Sequence, residues 1–223
     1  MREIVLVLKR EWEQLAGSDT ATHVLFLFLV VLWSLLFTTA DDGGATRLVW
    51  VVTFSVIVVN ACASGPFMHE RLSGALEIVL TCGIARDTLY RGKVLFVTLV
   101  ATVLGGICTG LSGIWELLLG RVSYGDTGAW QDGFAGVVTF AFAAFMNACC
   151  AALFSVLLPN PRFVFFFNFL ITSVIVALFL VVHALWGVST VTLNLMLVVP
   201  GLVFLEVGKR VFRTERVVRP ATV

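Results

Sequence analysis

Charge is what this sequence has least of. Asp, Glu, Lys and Arg make up 13% of its 223 residues, against 59% hydrophobic residues and a mean hydropathy of +1.01, whereas soluble domains carry about a quarter charged residues. That balance excludes an ordinary soluble domain and leaves an integral membrane protein. Apolar segments follow one another so closely that no room remains for a soluble catalytic domain. The strict alternation of an outer-membrane barrel strand is also missing, so the backbone of these runs is most simply satisfied inside helices. None of the five cysteines (Cys62, Cys82, Cys108, Cys149, Cys150) falls in a predicted external loop, which argues against a disulfide framework. Cys149 and Cys150 lack metal-ligand spacing. No nucleophile with a base and an orienting group stands out, so no catalytic residue and no metal site is assigned.

What is present is a series of six apolar stretches, Val24–Ala40, Leu48–Pro66, Val94–Leu119, Gly133–Leu158, Phe163–Gly187 and Val191–Gly208. Each approaches the roughly 20 residues a spanning helix needs. The reading is one all-α, polytopic domain over 1–223 with six transmembrane helices. With a cytoplasmic N-terminus, Arg2, Lys9, Arg10, Arg71, Arg86, Arg91, Lys93, Arg162, Lys209, Arg210, Arg213, Arg216 and Arg219 all fall inside. Arg47 and Arg121 fall outside. That bias predicts a multi-pass protein of the cell (inner, cytoplasmic) membrane with both termini in the cytoplasm.

Two cytoplasmic segments are patterned. Over 1–17, Ile4, Val5, Leu8, Trp12 and Leu15 recur at helical spacing, with Glu3, Lys9, Arg10 and Glu13 on other sides, which predicts an amphipathic helix on the inner leaflet. A cleaved signal peptide fits poorly, because the apolar run Ile4 to Leu8 is short and charges follow at once. The second segment, 67–93, joins spans two and three. Within it Leu72, Leu76, Val79 and Leu80 share one helical face, and Glu70, Ser73, Gly74 and Glu77 another. On periodicity alone, a connector held to lipid headgroups explains it as well as a docking helix does.

The stretch "ERLSGALEIVLTCGIARDTLYRGKVL" resembles the cytoplasmic signature of ABC-2 type transporter permeases. Glu70, Arg71, Gly74, Leu76, Glu77, Leu80, Gly92 and Lys93 occupy the matching positions. The resemblance in detail covers about two dozen residues, and beyond them rests on layout. It implies that this segment is a coupling helix that docks on a cytoplasmic ATPase, with Glu70, Arg71, Ser73, Gly74 and Glu77 as the coupling residues. It further implies a permease subunit of an ATP-binding cassette exporter, working by alternating access. ATP and Mg would be bound by the partner ATPase subunits, with no cofactor in this chain. Indeed the chain lacks a phosphate-binding loop: upstream of Gly92-Lys93 and Gly208-Lys209 the required glycine is Asp87 and Val203, and neither pair is followed by a hydroxyl residue. Six spans are half the family's usual set, so a second permease copy or homologue is expected. Small permeases of the cytochrome c haem-maturation system have a similar layout and form one alternative. An ATP-independent channel or secondary carrier, and a membrane scaffold, are the others.

Gly106, Gly110 and Gly113 in span three, and Ala144, Ala148 and Ala152 in span four, form rows that let helices approach closely. Packing within one chain is favoured slightly over dimerisation for both. Polar residues at membrane depth are Asn60, Asn147, Asn168 and Thr172. Interhelical hydrogen bonds are their expected role, and a substrate path is the second. No ionisable group sits near the middle of a span, which weakens a proton-coupled mechanism. Pro159 and Pro161 break the chain between spans four and five, and Arg162 anchors that turn. The basic tail 209–223 suits anionic lipid or the ATPase and does not call for nucleic acid. Family members that export lipid-linked polymers carry an external re-entrant element between the last two spans. Here it is absent, or span five is broken near His183.

Overall fold

Apolar chain with unsatisfied peptide groups folds as helix, because each N–H then finds its carbonyl within the same segment. The structure, a computed structural model, describes residues 2–18, 20–39, 44–63, 66–67, 85–121, 127–158 and 160–213. Among them are seven helices and no strand: α1 (Arg2–Ala16), α2 (Thr20–Thr39), α3 (Gly44–Ala63), α4 (Arg86–Leu118), α5 (Thr127–Leu157), α6 (Pro161–Trp186) and α7 (Thr190–Arg213). Five of the described helices are long and apolar enough to cross a membrane: α2, α4, α5, α6 and α7. The chain is thus an all-α, multi-pass membrane protein. Among the described side chains α3 contributes a shorter apolar helix, Arg47–Ala63, so five of the six expected spans are matched by long apolar helices.

Successive helices run up and down. Lys93 near the start of α4 binds the carbonyl of Pro66 just beyond α3, and Arg121 just beyond α4 donates to the carbonyl of Thr38 at the end of α2. The two ends of the bundle are therefore chemically distinct. Lys9, Arg10, Arg86, Arg91, Lys93, Arg162, Lys209 and Arg210 belong to elements at one end, the basic end, and Arg47 and Arg121 to the other. The 33 residues of α4 make a helix about 50 Å long, well beyond the roughly 30 Å of a hydrocarbon core. Its first two turns, Arg86 to Lys93, were expected to finish the loop 67–93 and are helical instead.

The core is built around α5, which packs on α3, α4, α6 and α7. Ala144, Ala148 and Ala152 are fully buried there with Cys149 and Cys150, small side chains that let neighbouring backbones come close. Across the bundle, Phe54 of α3 meets Trp33 and Phe37 of α2 and Phe140 of α5, with ring centroids 5.2, 5.9 and 5.7 Å away. The glycine row departs from expectation. A Cβ at Gly106, Gly110 or Gly113 would meet nothing within 4 Å, whereas one at Gly105 would lie 2.3 Å from the Phe140 ring. The alanine row packs inside the chain; the glycine row faces away from it, because one position along the helix swings the side chain by about 100°.

Helix ends follow local chemistry. Asn160 caps α6, its side-chain oxygen accepting from the Arg162 N–H at 3.0 Å, and Pro161 takes the first position, where its missing N–H costs nothing. Gly187 closes the helix in the left-handed region at φ 61°, a conformation glycine adopts without penalty. α6 thus runs unbroken past His183, and the chain enters α7 at Thr190. No re-entrant element lies between them.

Candidate functional sites

The coupling residues inferred from the resemblance, Glu70, Arg71, Ser73, Gly74 and Glu77, lie outside the described residues. The flanks of their segment are described, and they form a joint. Lys93 Nζ donates to Glu11 Oε1 at 2.6 Å and to the Pro66 carbonyl at 2.8 Å. Both charged side chains are 1% exposed. One ammonium therefore ties α1, the exit of α3 and the entry of α4. Gly92 makes the approach possible: a Cβ there would sit 2.8 Å from Val7 Cγ1, so a side chain would push α1 away. Around the joint, Tyr90 meets Phe67 at 6.4 Å and Phe212 of α7 at 5.4 Å. Glu206 pairs with Lys209 one turn on, and with Arg210 Nε at 3.7 Å, as helical spacing predicts.

This joint revises the reading of α1. Val7 and Glu11 are its buried residues, with Ile4, Leu8 and Leu15 partly buried, while Val5 and Trp12 are exposed. The helix thus presents one strip to the bundle and a second apolar strip, Val5 and Trp12, away from it. An ion pair at the centre of the first strip was not anticipated, although Glu11 stands three residues from Leu8 and four from Leu15 and so shares their face.

The second site is a polar cluster inside the bundle. Asn168 Nδ2 donates to Asn60 Oδ1 at 3.3 Å. Thr172 Oγ1 lies 2.7 Å from Asn147 Oδ1 and 2.9 Å from the Asn168 carbonyl. Asn147 Nδ2 donates to Ser55 Oγ at 2.9 Å, and Ser55 in turn to the Val52 carbonyl at 2.6 Å. Asn60 Nδ2 also donates to the Val56 carbonyl at 2.8 Å. All four polar residues picked out for membrane depth are thereby brought together, with Ser55 added, and they link α3, α5 and α6. Asn147 and Asn168 are 0% exposed. The cluster holds amides and hydroxyls and no charge, so it orients and fastens helices but has no acid or base for proton transfer at neutral pH.

At the opposite end, Arg47 Nη2 meets Glu116 Oε1 at 3.4 Å and Trp115 Nε1 donates to Ser34 Oγ at 3.2 Å. His183 Nδ1 bonds the Val188 carbonyl at 2.8 Å and its ring stacks on Phe179. Cys62, Cys108, Cys149 and Cys150 are free and buried. Among the described residues no three His, Cys, Asp or Glu side chains are grouped to hold a metal ion. The chain matches no protein-family model and no curated protein.

Proposed function

We propose that this chain is the membrane-spanning permease subunit of an ABC-2 type ATP-binding cassette exporter. Two ATPase subunits, carrying ATP and Mg, would drive a pair of such chains, or one chain and a homologue, through alternating access. The observation that carries the reading is the joint at Lys93. The residues flanking the proposed coupling helix, Pro66 and Lys93, are bonded to each other and to α1. A push on the intervening segment would be delivered to α1, α3 and α4 together. Gly92 and Lys93 belong to the very motif that resembles the family's signature, and each has a definite mechanical use: Gly92 admits Val7, and Lys93 makes the tie.

In this reading α3 is the second of six spans, its helical length of 20 residues reaching about 30 Å. The basic end is cytoplasmic by the positive-inside rule, and the strip of Val5 and Trp12 rests among lipid headgroups. The open glycine row of α4 supplies a face for close approach to a second copy. Asn60, Asn147, Asn168 and Thr172 serve first as the tie between spans and line a substrate path only when those spans part. Coupling requires that the ATPase bind two conformations unequally, since a partner indifferent to them shifts nothing. Co-purification in mild detergent tests the reading. ATP-binding cassette subunits should accompany the wild-type chain and be lost with Glu77→Arg. If none accompanies it under any mild condition, the channel or carrier reading takes its place.

A further inference from the structure

α6 is held to the bundle along a narrow line. Among its described side chains, four are fully buried, Val164, Asn168, Thr172 and Phe179, spaced so that they share one face. The middle two are polar, so hydrogen bonds share the centre of this attachment with the apolar packing of Ile171, Ile175 and Val176. In a bilayer that distinction matters, because lipid tails replace lost apolar contacts well and lost hydrogen bonds poorly. The helix is also complete in itself, capped by Asn160 at one end and by left-handed Gly187 at the other. Tilting it as a unit would cost its own backbone bonds nothing.

Thr172 has one hydroxyl hydrogen and two acceptors in reach, Asn147 Oδ1 on α5 and the carbonyl of Asn168 on its own helix. It serves one at a time. We propose that Thr172 is a two-position latch: donating to Asn147 it fastens α6 to α5, and turned onto the Asn168 carbonyl it releases α6 from α5, with the Asn168–Asn60 bond to α3 as the pivot, without leaving a bare hydroxyl in hydrocarbon. A second observation shows that the fastened state is not fully satisfied. Asn168 Oδ1 is buried without a hydrogen-bond partner, and an unpartnered buried carbonyl is costly. Parting of α6 from α5 admits a neutral donor of water's size to Asn168 Oδ1 and to the vacated Asn147 Oδ1. The gain offsets part of the broken bond and keeps the two states close in free energy. The latch is a property of this chain and needs no ATPase, so it stands or falls separately from the permease reading.

The test is a distance measurement between spin labels in lipid nanodiscs. Labels go at Trp186→Cys, at the end of α6, and Leu118→Cys, at the end of α4, both 71% exposed, in a chain that also carries Cys82→Ser. Thr172→Val, which keeps the shape and removes the hydroxyl, should raise the ratio of released to fastened α6 about threefold, the factor an average intramembrane hydrogen bond supplies. Thr172→Ser should leave the distribution as in wild type. If Thr172→Val does not yield folded protein, Thr172→Ala carries the same expectation. An unchanged distance distribution in the hydroxyl-free variant overturns the latch, and so does a lower melting temperature with no change in distances, which would mark the bond as a static tie.

Discussion

Removing one partner of the Lys93–Glu11 pair is the sharpest perturbation available at the basic end. At 2.6 Å and an effective dielectric near 20, the attraction is about 6 kcal/mol. Withdrawing two ions from water costs several kcal/mol each, so the intact pair contributes little net stability. Its loss is another matter. Lys93→Met removes the cation 2.6 Å from the buried Glu11 carboxylate and withdraws the donor from the Pro66 carbonyl, and breaking a buried pair in this way costs about 3–5 kcal/mol. For a chain of this length each kcal/mol moves the melting temperature by about 2–4 °C, so the fall should be about 6–20 °C. Glu11→Gln keeps an acceptor for Lys93 and should cost less. The double variant Glu11→Leu with Lys93→Met removes both charges and should recover most of the loss. The assay is a thermal scan of intrinsic fluorescence in detergent, which the six tryptophans make practical. If Lys93→Met leaves the melting temperature unchanged, or if the double variant loses the sum of the two single losses, the joint does not depend on this pair.

Three further outcomes follow from the packing. Gly92→Ala places a Cβ 2.8 Å from Val7 Cγ1 and should cost about 1–3 kcal/mol, and Val7→Ala in the same chain should restore much of it, again read by melting temperature. Asn147→Leu removes two interhelical bonds, yet Ser55 keeps the Val52 carbonyl and Thr172 the Asn168 carbonyl. Its cost should therefore stay near 1 kcal/mol, and a loss beyond about 4 kcal/mol would contradict the two fall-back bonds. Gly187→Ala forces a side chain into the left-handed region at φ 61° and should cost about 1 kcal/mol, with Gly187→Asn cheaper than Gly187→Ala in the same scan.

Much of this architecture was legible in the sequence because membrane spans are written in length and apolarity, and the six predicted stretches all fall on helices. α3 is the exception, since its described side chains, Arg47–Ala63, make an apolar helix shorter than the other five. Of the internal polar cluster, the asparagines and Thr172 were legible because an amide in hydrocarbon demands a partner. Ser55 was not, since a serine ordinarily satisfies itself on its own helix, as Ser55 also does through Val52. Glu11 is hard to place from sequence because a charge at the membrane surface ordinarily faces water. Its place among Ile4, Leu8 and Leu15 was the available signal that it faces the bundle. The direction of the glycine row was out of reach from sequence, because a spacing of four makes a flat face without saying which neighbour meets it.

In the proposed permease, the segment that begins beyond Phe67 docks on an ATPase. The most direct measurement is to install a photo-crosslinking amino acid at Glu77 in the full chain, irradiate intact cells, and identify what is joined to it by mass spectrometry. The expected adduct is a protein bearing Gly-x-x-x-x-Gly-Lys followed by Ser or Thr, the phosphate-binding loop this chain lacks. Adducts with lipid alone, or with other copies of this chain alone, would contradict it.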